Sequence, residues 1–243
     1  ISATALAAVA LGNLYTFTAL VGGMGVLMAL DPVVALALGA GEREAAARGA
    51  QRGLILAALL SVPLALIFLP VRPLFVVLRQ PAEVVPVASA YVWASIPGIL
   101  PFLAFVVLRQ SLQAMHRVAP IVVAILGANM MNVGLNWLLI FGNAGFPALG
   151  AVGSAWATSA SRLGMAVGLL IAARAELAPV LTPRRRGVLD VQPLLAMLRL
   201  GLPIALQYQL ELGAFATIGL LMGSLGTREV AAHQIALNLA SLT

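Results

Sequence analysis

Cysteine and lysine are both missing from this chain, and histidine occurs only twice. Without cysteine there is no disulfide framework and no thiolate metal site. Two histidines, His116 and His233, are too few for a histidine cluster. Charge is scarce as well. Only 9% of residues are charged, where soluble domains carry roughly a quarter, too little to coat the surface of a water-soluble protein of 243 residues. No phosphate-binding loop, nucleophile elbow or metal-ligand spacing appears, so the chain does not read as an enzyme and calls for no cofactor.

Apolar residues take the place of what is missing. They make up 62% of the chain, and the mean hydropathy is +1.05. A helix needs about 20 apolar residues to cross a hydrocarbon core of roughly 30 Å. Six stretches meet that length, at residues 1–30, 54–78, 87–114, 120–141, 149–172 and 200–225, and a seventh begins near Val230. A membrane barrel would show segments of about ten residues alternating apolar and polar, and the sequence has none. The expected fold is an all-α, polytopic membrane bundle. The chain begins at Ile1 inside one apolar run and stops at Thr243 inside another, so both ends are expected to be cut. No signal peptide is visible.

The net charge of +6 comes from 14 arginines against 8 acids, and its placement argues against nucleic acid as a partner. Loops after the first, third and fifth segments hold Arg43, Arg48, Arg52, Arg109, Arg117, Arg174, Arg184, Arg185, Arg186 and Arg199. The other loops hold only Arg72, Arg79 and Arg228. This is the positive-inside pattern. It puts the first set of loops in the cytoplasm, facing anionic lipid head groups, and runs the first segment from outside to inside.

Residues 174–199 form the one long connection, with Pro179, Pro183, the triple arginine 184–186, Asp190 and Pro193. Its length and composition suit a cytoplasmic linker between a five-helix first lobe at 1–173 and a second lobe beginning at 200–243. Val9-Ala10-Leu11, with Asn13 close behind, pairs with Ile235-Ala236-Leu237 and Asn238. That match is weak by itself, but it falls on either side of the linker, as in transporters built from two repeated bundles.

Polar groups are expensive in lipid and mark functional positions. Glu211 lies near the middle of the sixth segment, roughly 16 Å from its start at 1.5 Å per residue. Gln207, Tyr208 and Glu211 share a face about 100° wide, and Pro203 lies beside it. Such a carboxylate can carry a proton, ligate Na⁺, face a cationic substrate, or serve as a hydrogen-bonded structural group. Asn129, Asn132 and Asn136, spaced i, i+3, i+7, fall within about 60° of arc; they can line a wet cavity or join helices. Ser154, Thr158 and Ser161 suit helix packing. Arg162 in the same segment either snorkels, binds carbonyls at a helix break, or faces a polar cavity. Asp31-Pro32 and Gly39-Ala40-Gly41 mark a bend and a helix end, with Asp31 mainly structural. Pro97, Gly98 and Pro101 mark a kink. Tyr91 and Trp93 are expected as interfacial anchors.

Three stretches carry a family resemblance. Residues 31–41 begin Asp31-Pro32-Val33-Val34-Ala35. Residues 132–158 include Asn136-Trp137-Leu138-Leu139-Ile140-Phe141-Gly142 and Pro147-Ala148-Leu149-Gly150. Residues 230–238 include Ala232-His233-Gln234-Ile235. Together they resemble the multidrug and toxin extrusion (MATE) transporters, in the larger group that includes polysaccharide and lipid flippases. The resemblance implies twelve helices in two lobes, with this chain running from helix two to the start of helix eight. It implies a monomeric antiporter of the inner membrane that exports organic cations in exchange for Na⁺ or H⁺. Glu211 matches an acidic residue of helix seven used in cation coupling. Asn132 and Asn136 match helix-five positions that, in some members, cluster with an acid of helix one. Leu36 departs from the glutamine of many members. A lipid or polysaccharide flippase is the alternative and calls for an arginine-rich cavity; an intramembrane enzyme is the remoter one.

Overall fold

The computed structural model describes residues 3–225, and every described element is helical. The seventh apolar stretch, with His233 and the third motif, lies outside the described residues. Among the described residues, five helical spans are long and apolar enough to cross a membrane: Thr4–Gly39, Arg43–Phe68, Val85–Ala114, Ala119–Phe141 and Gly150–Ala172.

The first span is two helices. Helix α1 (Ala3–Leu27) gives way at Met28 and Ala29 to α2 (Leu30–Gly39). Asp31 and Pro32 sit in the first turn of α2, where proline's missing N–H leaves nothing unsatisfied and a carboxylate faces the positive helix end. The bend and the helix end fall where the proline and the glycines predict them, with Gly41 at φ +77° just past α2.

The second apolar stretch divides differently from its hydropathy. Helix α3 (Arg43–Phe68) starts in the polar segment before the stretch, and residues 71–77 form a separate short helix, α4 (Val71–Val77). Pro70 and Pro73 cannot continue the α3 ladder. Two side chains from other helices reach the carbonyls left at its end. The Tyr15 hydroxyl donates to the Ile67 oxygen at 2.8 Å, and Trp93 Nε1 donates to Phe68 and Leu69 oxygens at 3.2 and 3.3 Å. The Tyr15 ring also packs on Phe68 and Phe75, with centroids 5.5 and 5.8 Å away.

The third span breaks at the predicted kink. Helix α5 (Val85–Ser95) and α6 (Ile99–Ala114) are joined by a single 3₁₀ turn over Ile96–Gly98. Helices α7 (Ala119–Phe141) and α8 (Gly150–Ala172) form an antiparallel pair on the outside. Gly142, left-handed at φ 72°, caps α7, a conformation that suits glycine. Met130, Val133 and Val123 on α7 stand fully outward, as expected of a lipid-facing helix. The main core lies between α1, α3, α5 and α6, around Leu27, Leu30, Phe68, Val92, Leu103 and Val106.

Tyr91 does not anchor at an interface as its sequence position suggests. It is buried, because Gly12 opens a slot in α1 for its ring: a Cβ on Gly12 would lie 2.7 Å from Tyr91 Cδ1.

The connection after α8 is ordered against the bundle. Its first part is a helix, α9 (Arg174–Leu181), packed on α3. Gln51 of α3, itself 7% exposed, donates through Nε2 to the carbonyls of Val180, Leu181 and Pro183 at 2.9, 3.2 and 3.1 Å. Its Oε1 accepts the Arg185 backbone N–H at 2.9 Å. Next to it, Arg52 donates to the Gly187 oxygen at 2.7 Å, and Arg185 meets Glu44 at 3.5 Å. One amide thus ties the end of α9 and the residues just beyond it to α3. Helix α10 then runs over Val191–Leu225. It starts ahead of the apolar stretch because Pro193 lies in its first turn, where proline is tolerated.

Replacing Gln51 with Ala strands the Arg185 N–H and three carbonyls, so the docking of residues 180–187 should weaken by roughly 1–3 kcal/mol. Tryptic cleavage at 184–186 of the folded full-length protein should accelerate accordingly. Unchanged cleavage kinetics would mean that apolar packing of Leu177 and Val188 holds the segment alone.

Candidate functional site

Helix α10 lies along α1, and small residues set how closely. A Cβ on Gly25 would fall 2.5 Å from Ala205 Cα, and a Cβ on Gly201 would run into the Val26 carbonyl. Gly201 and Ala205 are one turn apart, so they present one small-residue stripe to α1. Further along the crossing, Gln209 Nε2 donates to the Thr18 carbonyl at 2.7 Å.

That contact fixes how α10 is rotated. Gln209 points at α1, and residues two positions away lie about 200° around the helix. Gln207 and Glu211 therefore turn away from α1, and both are exposed; Tyr208 is half-buried at the flank. Among the described residues the Glu211 carboxylate has no ion pair and accepts no hydrogen bond. Gln207 and Glu211 do share a face, as their spacing predicts.

On α7, Asn136 Nδ2 donates to Asn132 Oδ1 at 2.9 Å. This joins two of the three asparagines of the predicted stripe. Asn136 Oδ1 is buried and lacks a donor among the described residues; Asn129 is exposed and stands apart from the pair. No hydrogen bond links the asparagines to Glu211.

The hydroxyls of α8 serve packing. Ser154, Thr158 and Ser161 bond to carbonyls within their own helix, at Ala151, Ser154 and Ala157. Ser159, which the sequence does not single out, reaches across to the Ala94 carbonyl at 2.8 Å. Proline at 97 and the turn at 96–98 interrupt the α5 ladder there. One turn on from Ser159, Arg162 stands with its guanidinium carbon 5.3 Å from the Phe102 ring centroid, beside Gly98, which a Cβ would bring to 3.2 Å from Arg162 Cδ. A cation over an aromatic face is favourable in a site withdrawn from water. Arg162 Nη1 is buried with no acceptor among the described residues. Asp31 is exposed on α2 and has no ion pair among the described residues. No group of three or more acids and histidines capable of holding a metal occurs among the described residues.

The helix-crossing glycines were the missed signal. Gly22 and Gly25 on one helix and Gly201 with Ala205 on another are a small-residue pattern that a search for polar groups passes over.

Five described helical spans long and apolar enough to cross a membrane, several broken at prolines, define a multi-pass membrane protein. The MatE family model matches residues 1–138, more than half the chain, and the chain belongs to that family. It is 38% identical over 223 residues to the probable multidrug resistance protein NorM of Pseudomonas putida, covering 90% of this chain and 48% of that protein. With the probable NorM of Geobacillus kaustophilus it shares 36% over 249 residues, covering 99% of this chain and 54% of that one. A solved structure of a MATE transporter in complex with MaD5 superposes with a TM-score of 0.79 at 25% identity, over 98% of this chain and 53% of the other. The chain thus spans about half the length of the relatives it matches. The kinship is with transport proteins, not with enzymes.

The closeness of α1 and α10 predicts intolerance of side chains at Gly201. Gly201→Ala in the full-length protein should lower stability by about 1–3 kcal/mol and Gly201→Leu by more, as expected for overpacking, read by thermal unfolding in detergent. Equal stability of all three proteins would show that the crossing is looser than these backbones allow.

Proposed function

We propose that this chain is the ion-coupling half of a secondary active transporter that exports organic cations in exchange for Na⁺ or H⁺ by alternating access. The observation that carries the reading is Glu211. It is a carboxylate midway along an apolar helix, without an ion pair among the described residues, on the face turned away from the helix that α10 packs against. An acid at that depth is expensive to keep, and its most economical role is to bind cations in turn. Competition between a coupling ion and a cationic substrate for Glu211 makes each release the other, which is antiport. Gln207 and Tyr208 flank the acid as neutral contacts. The relatives named multidrug resistance proteins support the substrate class.

In this reading residues 1–173 are the first lobe, 174–199 the cytoplasmic linker and 200–243 the start of the second lobe. The distribution of arginines supports placing the linker on the cytoplasmic side; the proposed transporter is an inner-membrane protein that works as a monomer. The Asn132–Asn136 pair, with one unused carbonyl oxygen, is a secondary polar site of the first lobe. Asn129, Asp31 and Arg162 have supporting roles. An ion drives the switch only through different affinities for the two states, and the carboxylate supplies that difference by being accessible from one side at a time.

Glu211→Gln in the full-length protein, reconstituted in liposomes, should abolish Na⁺- or pH-jump-driven efflux of a cationic dye while leaving expression intact. Asn136→Ala should slow efflux without abolishing it. Full coupled efflux by the Glu211→Gln protein would overturn the assignment.

A further inference from the structure

A cavity of about 1280 Å³ opens among α2, α3, α6 and α9 at the arginine-rich end of the bundle, and no residue of α10 lines it. Its wall is two-sided. Met28, Val34 and Leu38 give it an apolar side, and Arg43, Arg109 and Arg185 with Asp31, Glu44 and Glu176 give it a charged one.

The charges there are unequally engaged. Glu44 is held by Arg48 at 3.7 Å and by Arg185 at 3.5 Å, and Glu176 by Arg117 at 3.9 Å. That leaves Arg43, Arg109 and Asp31 as the lining charges without an ion pair among the described residues. The side chains of Arg43 and Arg109 also make no hydrogen bond there. Arg109 Nε is buried in the wall with no acceptor among the described residues, so this guanidinium has hydrogen-bonding capacity unused. Buried donors of this kind call for an acceptor.

Two free guanidinium forks against one free carboxylate select an anion, and planar forks suit phosphate oxygens in particular. The apolar side adds a second requirement. A free phosphate would leave it uncovered and would occupy a small part of the volume. An organic cation would be repelled by both arginines. An amphipathic anion meets both walls.

We propose that this cavity binds the head group of an anionic phospholipid, with Arg43 and Arg109 contacting the phosphodiester and the start of the acyl chains lying along Met28, Val34 and Leu38. The site is separate from Glu211 and does not depend on the transport reading. Basic pockets between helices on the cytoplasmic side are suited to such lipids.

The test uses the purified full-length protein, delipidated in detergent, and native mass spectrometry with phosphatidylglycerol, phosphatidylcholine and inorganic phosphate as separate probes. Phosphatidylglycerol should be retained in preference to phosphatidylcholine. The Arg43→Gln/Arg109→Gln protein should bind phosphatidylglycerol at least about tenfold more weakly, because each arginine near a lipid head group contributes roughly a factor of five. The Arg43→Lys/Arg109→Lys protein should recover part of that binding, and an unchanged thermal midpoint in lipid-free detergent would confirm that the variants fold. Equal phosphatidylglycerol binding by the glutamine variant would overturn the proposal. So would equal binding of phosphatidylcholine, or inorganic phosphate displacing the lipid at comparable concentration.

Discussion

Hydrocarbon offers a backbone no hydrogen bonds, so each place where a spanning helix breaks must find a donor elsewhere in the protein. Spanning helices here break at Pro70 and at Pro97, and at each of these a side chain arrives from another element: Tyr15 and Trp93 meet the end of α3, and Ser159 meets Ala94 beside the kink. Outside the spans, Gln51 likewise gathers three carbonyls at and just beyond the end of α9. Packing follows from these meetings. Tyr15 can reach Ile67 only if α1 lies on α3, and Ser159 can reach Ala94 only if α8 lies on α5. The order of helices around the bundle is in this sense written in the repair of its interruptions.

The same constraint separates structural polar residues from functional ones. A hydroxyl or amide engaged with a carbonyl has its role explained, and most of those in the spans are engaged. The polar groups left over among the described residues of the spans include the Glu211 carboxylate, Gln207 beside it, Thr16 Oγ1, Gln110 Oε1, Asn136 Oδ1 and Arg162 Nη1. They lie on five helices, α1, α6, α7, α8 and α10, and only Gln207 and Glu211 share one. Between α1 and α10 the contact is of another kind. At its closest it is made by glycine and alanine, with a hydrogen bond from Gln209 to Thr18, while α10 also sends Met197 into the main core.

The sequence makes the spans legible because length and hydropathy are dictated by the bilayer. Kinks were legible too, since Pro97, Gly98 and Asp31-Pro32 act through local geometry. Where helices begin outside the bilayer was not. Nothing in hydropathy reveals that residues 43–53 are already helical, or that α10 starts at Val191, because helix formation in water depends on propensity and capping, not on apolarity. Of the site, the shared face of Gln207 and Glu211 followed from a 100° turn per residue, while the burial of Tyr91 depended on a glycine, Gly12, 79 positions earlier. Pairing of Asn132 with Asn136 followed from i, i+4 spacing; the exposure of Asn129 needed the neighbouring helix. Long-range complementarity of this kind leaves no periodic trace in a single sequence.

Arginine at the cytoplasmic end is usually explained by topology alone, as charge that resists translocation. Here the individual residues divide by what they hold. Arg52 and Arg185 bond to backbone carbonyls of the connecting segment, Arg48 and Arg185 share Glu44, and Arg117 pairs with Glu176 of α9. Arg52, Arg117 and Arg185 tie the connecting segment to the helices before it, so a topological charge and a structural tie are the same side chain. Arg43 and Arg109 hold nothing within the described residues, although Arg109 lies half-buried where desolvation makes an unpaired cation costly. A residue kept charged for topology alone would do better in water, on a loop tip such as that of Arg117. The position of Arg109 in a cavity wall is therefore better explained by an anion that the protein meets there than by the orientation rule.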